Sequence, residues 1–552
     1  MTADQGPLAT GADQLAATAG PILQAGFDDL YSAVYDILDD AKTGHDLVKL
    51  YKGSHGSPDP HPVVLDFGEF FFRQRRGLIS YACQRVNPHQ PPSLADLDAF
   101  DAAHRPRVAV RPAFEMLGTD LRRPGETVAD VLAYVAARTH DLGAYRGGSS
   151  GYDEETRAFI ATHFSQLGVQ TRPEEVLVFC GGAKGAFMAF CAALMCRRRH
   201  DDLQHLGGLL LTPAGYYQSL RLIPPVFGGD IHVIDDLTGH AVRDWLAATA
   251  GHPRRCVYVP LVNNADGKVL STGRAHSVAA AVLEHNAANP GRPVYVLADD
   301  VYAGSYLEPG TRGLPIASVT GAGLGNPGLG RMSDWTLTVL TSSKTFALPT
   351  ARVAFTTTTN PALRAAVAHY RTVLSQGRVP QASELTAAAA ICLTPQCWID
   401  RWNSTYRKAL HELAGRIHLI NTRLGFEALT MEKPEGGWYL PLRVSPRLIP
   451  AAASGVDAFA VLLHHGGTDR SSGIALLPGE LFGYRAGKGG HSGFMLRGTL
   501  AAGDRDLHRF TARLGHAAQV LTGPQGPQVI QAALSRARAV ADVDTILANC
   551  RY

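Results

Sequence analysis

The chain has 552 residues, of which 45% are hydrophobic and 18% are charged. This composition can bury a large core and excludes disorder over most of the length. Lys and Arg total 52 and Asp and Glu total 49, for a formal net charge of +3. That near balance argues against a dedicated binder of nucleic acids or of acidic membranes. Eight cysteines, none in a C-x-x-C pair, are too few for a disulfide scaffold and do not support a metal site.

The first part of the chain predicts a mobile start followed by a helix. Apolar residues from Phe27 to Leu38 recur at helical spacing, and Gly44 is a plausible stop. The start lacks the basic and apolar segments of a signal peptide, and the longest apolar run, Ala186 to Cys196, is too short to cross a bilayer. The sequence therefore predicts a cytoplasmic protein, and we assign residues 1–110 to an N-terminal extension.

The middle of the chain alternates short apolar runs with helical patterns. A basic run, Arg197 to Arg199, follows one apolar stretch and is interpreted as a helix C-terminus. Short buried strands that alternate with helices predict a seven-stranded, mostly parallel α/β sheet covered on both faces. We expect this large domain to span residues 111–365 and a smaller α+β domain to span 366–552. The predicted strands are 175–180, 208–212, 231–234, 256–260, 294–298, 336–340 and 353–356.

Polar segments follow several predicted strands, where parallel sheets bind their ligands. A glycine-rich turn, GGAKGA, opens a helix at residues 181–186 and could bind a phosphate through backbone N–H groups. The others are VNNADGKV at 262–269, DDVY at 299–302 and TSSK at 341–344. Taken alone, the first three segments fit an ordinary turn or helix cap at least as well, whereas a lysine flanked by three hydroxyls at a strand end is an unusual place for a solvated charge.

A competing motif lies upstream of the sheet. Residues 147–151, GGSSG, match the G-x-S-x-G pattern of a hydrolase nucleophile. That elbow requires a strand before the serine and a helix after it, and the preceding residues predict no strand. We therefore interpret the segment as a loop.

Read together, the segments resemble the class I/II aminotransferases, the fold-type-I enzymes that use pyridoxal 5′-phosphate (PLP). TSSKTFALPTARVAF resembles the family's S-x-S-K-x-x-x-x-x-G-x-R motif, with Lys344 in the place of the Schiff-base lysine. DDVY is similar to D-E-x-Y, VNNADGKV to N-P-x-N-P-T-G-x-V, and GGAKGA to the phosphate turn. The segment ending at Arg497 is similar to the late motif whose arginine holds a substrate carboxylate. The resemblance covers about residues 115–520.

The resemblance implies a role for each matched residue. Lys344 would bond PLP and move the substrate proton, Asp299 would pair with the pyridine nitrogen, and Tyr302 would contact the ring hydroxyl. Arg497, with Gly118 as a weaker candidate, would bind substrate. Tyr216 would stack on the ring, with Tyr217 as the alternative, and Tyr145 would come from the neighbouring subunit of a homodimer. The remaining implied cofactor contacts are Ala183, Lys184, Asn264, Thr341, Ser343 and Arg352.

The implied function is transfer of an amino group from an amino-acid donor to a keto acid, ketone or aldehyde. A PLP-dependent lyase or decarboxylase is the first alternative, because the cofactor motifs do not report which substrate bond breaks. A PLP-binding regulator without catalysis is the second. Ala265, Asp266 and Thr350 depart from the family pattern, which argues against close kinship with the well-studied amino-acid transaminases. The N-terminal extension and the Ala/Arg/Gly-rich composition suggest a specialised biosynthetic enzyme.

Overall fold

The fold was analysed in a computed structural model. It describes residues 27–44, 46–50, 154–199, 202–346, 348–375, 379–393, 396–464, 472–485 and 493–549. Its strands are β1 (Asp46–Lys49), β2 (Val176–Cys180), β3 (Cys196–Arg199), β4 (Asp202–His205), β5 (Leu209–Pro213), β6 (Asp230–Ile234), β7 (Arg255–Pro260), β8 (Val294–Asp299), β9 (Thr336–Thr341), β10 (Val353–Thr357), β11 (Leu429–Met431), β12 (Tyr439–Val444), β13 (Ser472–Ala475), β14 (Leu477–Pro478) and β15 (Phe494–Thr499).

The helices alternate with these strands through the middle of the chain and dominate its last third. They are α1 (Phe27–Gly44), α2 (Glu154–Gln166), α3 (Ala183–Met195), α4 (Ile223–Val226), α5 (Gly239–Ala248), α6 (Thr272–Ala288), α7 (Pro361–Ser375), α8 (Gln381–Leu393), α9 (Gln396–Leu424), α10 (Gly455–His464), α11 (Gly503–Thr522) and α12 (Gly526–Asn549). In the described part of the chain, no helix combines the length and the apolar character that a membrane span requires.

The central sheet has seven strands in the order β2-β10-β9-β8-β7-β5-β6. Strands β9, β8, β7, β5 and β6 pair in parallel, whereas β10 is antiparallel to both of its neighbours. The predicted seven-stranded, mostly parallel sheet is therefore confirmed. Because β10 runs the other way, its first residues lie at the edge where the parallel strands end.

Both faces of this sheet are buried, as the apolar character of the strands predicts. Alternate residues of one strand enter different cores: Val176 and Val178 pack on one side, and Leu177 and Phe179 on the other. The sheet is thus a rigid platform, and its carboxyl edge is where polar side chains can be positioned.

A smaller four-stranded antiparallel sheet, in the order β11-β12-β15-β14, forms a second unit. Residues from the N-terminal part of the chain belong to its core, because α1 contributes the fully buried Val34, Ile37 and Leu38. Strand β1 also pairs in parallel with β13, from Asp46 opposite Ser472 to Lys49 opposite Ala475. Residues 27–50 therefore pack with the C-terminal part of the chain, more than 400 residues away in sequence.

One local prediction is wrong. Helix α3 ends at Met195, and the basic run that was interpreted as its C-terminus forms strand β3 instead. Cys196 adopts an extended backbone, and β3 pairs antiparallel with β4, with Arg197 opposite Gln204. The hairpin supplies ladder hydrogen bonds to backbone groups that the end of a helix would leave without partners.

Candidate active site

The glycine-rich turn after β2 aims backbone N–H groups at the carboxyl edge of the sheet. Gly181 and Gly182 have φ values of 84° and 69°, a region that glycine adopts without steric cost. Helix α3 begins directly afterwards at Ala183, so its first N–H groups face the same space. An anion at this position would meet the positive end of a 13-residue helix.

Arg352 closes the other side of that turn. Its Nη2 lies 2.5 Å from the carbonyl oxygen of Gly181, and its own carbonyl accepts a 2.9 Å hydrogen bond from the N–H of Gly182. Arg352 is the non-glycine residue with positive φ, 54°, in the described part of the chain. Its exposed guanidinium therefore stands beside the helix N-terminus, held by backbone contacts.

Asp299 is the last residue of β8 and is buried at the floor of the site. The hydroxyl of Tyr258 donates a 2.5 Å hydrogen bond to Oδ2 of Asp299. Burial raises the pKa of Asp299 to about 6, and the hydrogen bond from Tyr258 and the charge of Lys344 oppose this rise. A buried carboxylate of this kind favours a cationic partner such as a protonated pyridine nitrogen.

Lys344 lies in the loop that follows β9, flanked by hydroxyl residues. Thr341 and Ser343 are both buried, and the Thr341 hydroxyl accepts a 3.1 Å hydrogen bond from the N–H of Ser343. Nζ of Lys344 lies 3.4 Å from the hydroxyl of Tyr439 and 5.9 Å from the ring centroid of Tyr302. The amine therefore projects into a cleft lined by phenols.

A chain of hydrogen bonds joins the remaining predicted residues. Nδ2 of Asn264 donates to the Tyr302 hydroxyl at 3.1 Å, and the Tyr302 hydroxyl donates to that of Tyr439 at 2.8 Å. At the other end, Nη1 of Arg497 donates to Oδ1 of Asn264 at 2.6 Å. The order Lys344, Tyr439, Tyr302, Asn264, Arg497 thus connects the lysine with the arginine through direct contacts.

Arg497 is buried and is held between two aromatic rings. Its guanidinium carbon lies 4.2 Å from the ring centroid of Tyr439 and 4.5 Å from that of Phe482. These distances are within the range of cation–π contacts. A buried, stacked guanidinium can bind a carboxylate in bidentate fashion, which a flexible ammonium group cannot do.

Most of the predicted residues line one cavity of about 100 Å³ at this edge. Tyr145 and Gly118 lie outside the described residues, and Arg497 reaches the others through Asn264. The predicted residues that line the cavity are Ala183, Lys184, Asn264, Asp299, Tyr302, Thr341, Ser343, Lys344 and Arg352, and they are joined there by Gly181, Phe187, Tyr217, Val301 and Pro349.

The two tyrosines that were considered for stacking on the ring take different positions in the structure. Tyr216 is fully buried, and its ring packs closely against Gly483. A Cβ atom added to Gly483 would lie only 2.7 Å from that ring. Tyr217, which was the alternative, lines the cavity and contacts Phe187 edge-on at 6.2 Å. Gly215 sets this direction: its φ is +91°, and an added Cβ would lie 2.3 Å from Nδ2 of Asn263.

Two residues of the site were missed from the sequence. Tyr258 lies within an apolar strand, and Tyr439 begins a strand in the smaller unit, so neither belongs to a motif that the sequence analysis matched. The register offers one usable signal. Tyr258 lies two residues before Pro260, the residue paired with Asp299, so both side chains lie on one face.

The donors and acceptors of this cavity fit PLP. The cavity has a group to complement each functional group of the cofactor. The buried carboxylate suits the pyridine nitrogen, and the phenol and amide suit the ring hydroxyl. The helix N-terminus and the arginine suit the phosphate. In the described ranges, no group of three or more His, Cys, Asp or Glu side chains could hold a metal ion.

Comparison with known proteins agrees with this geometry. The family profile "Aminotransferase class I and II" matches residues 137–490. Aspartate aminotransferase from Rhizobium meliloti is 21% identical, with a TM-score of 0.54, over 71% of this chain and 88% of that one. Aspartate aminotransferase from Thermus thermophilus, solved with maleate, is 20% identical, with a TM-score of 0.52, over 70% and 88%.

N-Succinyldiaminopimelate aminotransferase from Mycobacterium tuberculosis is also similar, at 20% identity and a TM-score of 0.52, over 77% of this chain and 96% of that one. No curated protein sequence matches the chain. At these identities the solved structures establish the shared fold, and the family profile covers well over half of the chain.

Proposed function

The chain belongs to the class I and II aminotransferases, which are PLP-dependent enzymes, and from this premise we propose that it transfers the amino group of an α-amino acid to a carbonyl acceptor at the cavity around Lys344. The observation that carries the proposal is the continuous hydrogen-bonded chain from Lys344 to Arg497. It supports the proposal because it links an amine to a buried guanidinium, a group that can bind a carboxylate.

The residues of the site have two roles in this proposal: most would bind the cofactor, and Lys344 would move the α-proton of the substrate. Bound PLP supplies an electron sink for the carbanion that forms when the substrate loses its α-proton. Asp299 would pair with the pyridine nitrogen in its protonated form, and Tyr258 orients that carboxylate. Tyr302 and Asn264, which are hydrogen-bonded to each other, would contact the ring hydroxyl. Lys344 would hold the cofactor, and its amine would move the α-proton of the substrate.

Phosphate binding is assigned to the turn after β2. The N–H groups of Ala183 and Lys184, the hydroxyls of Thr341 and Ser343, and the guanidinium of Arg352 surround that end of the cavity. Tyr217, which lines the cavity, would cover one face of the ring. Arg497 binds the α-carboxylate of the donor, which orients the α-proton toward Lys344.

The quaternary and cellular context is part of the same proposal. We infer a cytoplasmic homodimer in which Tyr145 of one subunit completes the phosphate site of the other and Gly118 lines the substrate side. We also divide the chain into an extension at 1–110, a PLP-binding domain at 111–365 and a small domain at 366–552. The pairing of β1 with β13 supports a structural role for residues 27–50 beside the small domain. Sedimentation equilibrium tests the dimer.

The lysine assignment is tested by borohydride reduction of the PLP-loaded protein. Lys344→Ala is expected to abolish reductive attachment of the cofactor. Lys184→Ala, which removes the other lysine of the cavity, is expected to retain it. Attachment that persists in Lys344→Ala would refute the assignment.

The reaction is tested in a single half-reaction with an amino acid and no acceptor. We expect stoichiometric keto acid and pyridoxamine phosphate, whereas release of carbon dioxide or ammonia would refute amino transfer. Arg497→Lys is expected to raise KM for the donor about 10- to 100-fold, as the loss of about 1.5–3 kcal/mol of charged hydrogen bonding predicts. Arg331→Lys, a change at an exposed arginine, is the control.

A further inference from the structure

Tyr439 contacts both Lys344 and Arg497. Its hydroxyl oxygen accepts a 2.8 Å hydrogen bond from Tyr302 and lies 3.4 Å from Nζ of Lys344. Tyr439 is buried at the start of β12, so both contacts are shielded from water. A hydrogen bond to a charged amine is strengthened in such surroundings.

The ring of the same residue supports Arg497. Strand register explains the contact, because Pro441 lies opposite Arg497 in the pairing of β12 with β15. Tyr439 lies two residues before Pro441 and therefore on the same face of the sheet, diagonal to Arg497. The 4.2 Å separation between guanidinium carbon and ring centroid follows from this register.

The pKa values of Tyr302 and Tyr439 are shifted in opposite directions. Burial raises the pKa of Tyr302 well above its usual value. Burial acts in the same direction on Tyr439, but the charges of Lys344 and Arg497 outweigh it and lower the pKa of Tyr439. Tyr302 therefore keeps its proton and donates, while the oxygen of Tyr439 presents its lone pairs to Lys344.

We propose that Tyr439 is a positioning residue that couples the two functions of the site: its hydroxyl oxygen orients the Lys344 amine, and its ring holds the Arg497 guanidinium. The proposal rests on the aminotransferase function and on Lys344 as the cofactor lysine. Two substitutions can remove the hydroxyl alone or the hydroxyl together with the ring, and the proposal predicts a different effect for each.

Tyr439→Phe removes the hydroxyl and keeps the ring. In the PLP-loaded protein, a pH titration of visible absorbance reports the pKa of the nitrogen that joins Lys344 to the cofactor. We expect this pKa to fall by roughly one unit, because an acceptor beside the protonated nitrogen is lost. KM for the amino donor is expected to stay within about twofold of the wild-type value, because the ring beside Arg497 remains.

Tyr439→Leu removes the ring as well. We expect KM for the donor to rise about tenfold, the size of a desolvated cation–π contact, and Tyr439→Phe to rescue that rise. If Tyr439 had a merely structural role, both variants would be less stable. Tyr439→Phe would then not shift the absorbance titration while leaving KM unchanged. Tyr295→Phe is the matched control, because Tyr295 lies near the start of β8, at the opposite end of the strand from Asp299.

The outcomes separate the new proposal from the assignment beneath it. An unchanged absorbance titration in Tyr439→Phe, together with an unchanged KM in Tyr439→Leu, would overturn the role of Tyr439 and leave Lys344 in place. Reductive attachment that survives Lys344→Ala would overturn the lysine assignment itself. If Tyr439→Phe does not bind PLP, ultraviolet difference titration of the cofactor-free protein decides. A phenol that titrates below the ordinary value of about 10 and is missing from the variant supports the proposal. Its titration at or above 10 refutes it.

Discussion

The hydroxyl of Tyr258 lies 2.5 Å from Oδ2 of Asp299, and both side chains are buried. Burial raises the pKa of Asp299, and the hydrogen bond from Tyr258 acts against that rise. Tyr258 thus helps to keep a buried carboxylate ionised at the floor of the site, where a protonated pyridine nitrogen needs an anionic partner.

Tyr258→Phe is therefore expected to weaken PLP binding. The change removes a hydrogen bond to a charged group, about 1.5–3 kcal/mol, and so predicts a Kd for PLP roughly 10- to 100-fold higher. Absorbance titration of the cofactor-free protein with PLP measures the effect. Tyr295→Phe serves as the control phenol. Equal affinities of the Tyr258→Phe variant and the wild type would show that Asp299 needs no such support.

Asp300, the neighbour of Asp299, predicts a pH dependence of stability. Asp300 is 1% exposed, and burial together with the charge of Asp299 raises its pKa to about 8. The folded state therefore binds a proton that the unfolded state releases near pH 4. The associated stability is complete below about pH 4 and is lost as the pH rises to about 8.

Asp300→Asn should remove this dependence, because the amide imitates the protonated acid. Between pH 5 and 8 we expect the wild-type free energy of unfolding to fall by roughly 1.4 kcal/mol per pH unit relative to the variant. Urea unfolding at several pH values measures the difference. Asp235→Asn, a change at an exposed carboxylate, should keep the wild-type dependence. Parallel curves for Asp300→Asn and the wild type would contradict the prediction.

A contact between the two units explains one departure from the family pattern. Asp266 stands where the family has threonine, and its Oδ2 accepts a 2.7 Å hydrogen bond from the hydroxyl of Tyr484. The same turn contains Asn264. We expect Tyr484→Phe to lower the free energy of unfolding by about 1–3 kcal/mol, because it removes a partner of a buried carboxylate.

A double-mutant cycle with Asp266→Ala, which removes the accepting oxygen, isolates this contact. A coupling energy of about 0.5–3 kcal/mol is expected for two groups in direct hydrogen-bonded contact. Chemical denaturation of the four proteins gives the value. Strictly additive effects of the two substitutions would mean that the hydrogen bond contributes nothing to stability.

The sequence predicted the central sheet well because its signals are local. Seven apolar runs, each followed by polar or glycine-rich residues, define strands whose ends must meet at one edge. The motifs placed Asp299, Tyr302 and Lys344 around one cavity for the same reason. The sequence could not decide between Tyr216 and Tyr217, because their positions depend on the direction in which the chain leaves β5, which the positive φ of Gly215 sets.

Contacts between distant segments lay beyond the sequence. Nothing in the neighbourhood of Tyr439 indicates that its hydroxyl lies near Lys344, 95 residues away in the chain. The hydrophobic pattern of the sequence likewise cannot predict the pairing of β1 with β13, since each strand has only four residues. The basic run at Arg197 was misread because its charge fits a helix end, whereas pairing with Gln204 decides its structure.

The packing of α1 provides the last prediction. Ile37 is fully buried in the core of the smaller unit, and α1 contacts α10 and α12. Ile37→Ala removes buried methyl and methylene groups and leaves a cavity, so we expect the free energy of unfolding to fall by about 2–5 kcal/mol. Val226→Ala, at a side chain that is 58% exposed, should change it by less than about 0.5 kcal/mol.

The cofactor separates this effect from damage to the active site. Ile37 does not line the cavity that contains Asp299 and Lys344, so the Kd for PLP should stay within about twofold of the wild-type value in Ile37→Ala at temperatures where the variant remains folded. Thermal unfolding with and without PLP measures both quantities, because a ligand at free concentration c that binds the folded state alone stabilises it by RT ln(1 + c/Kd) and so raises the transition temperature more when it binds more tightly. A variant that loses PLP affinity while it keeps its stability would contradict a purely structural role for residues 27–50.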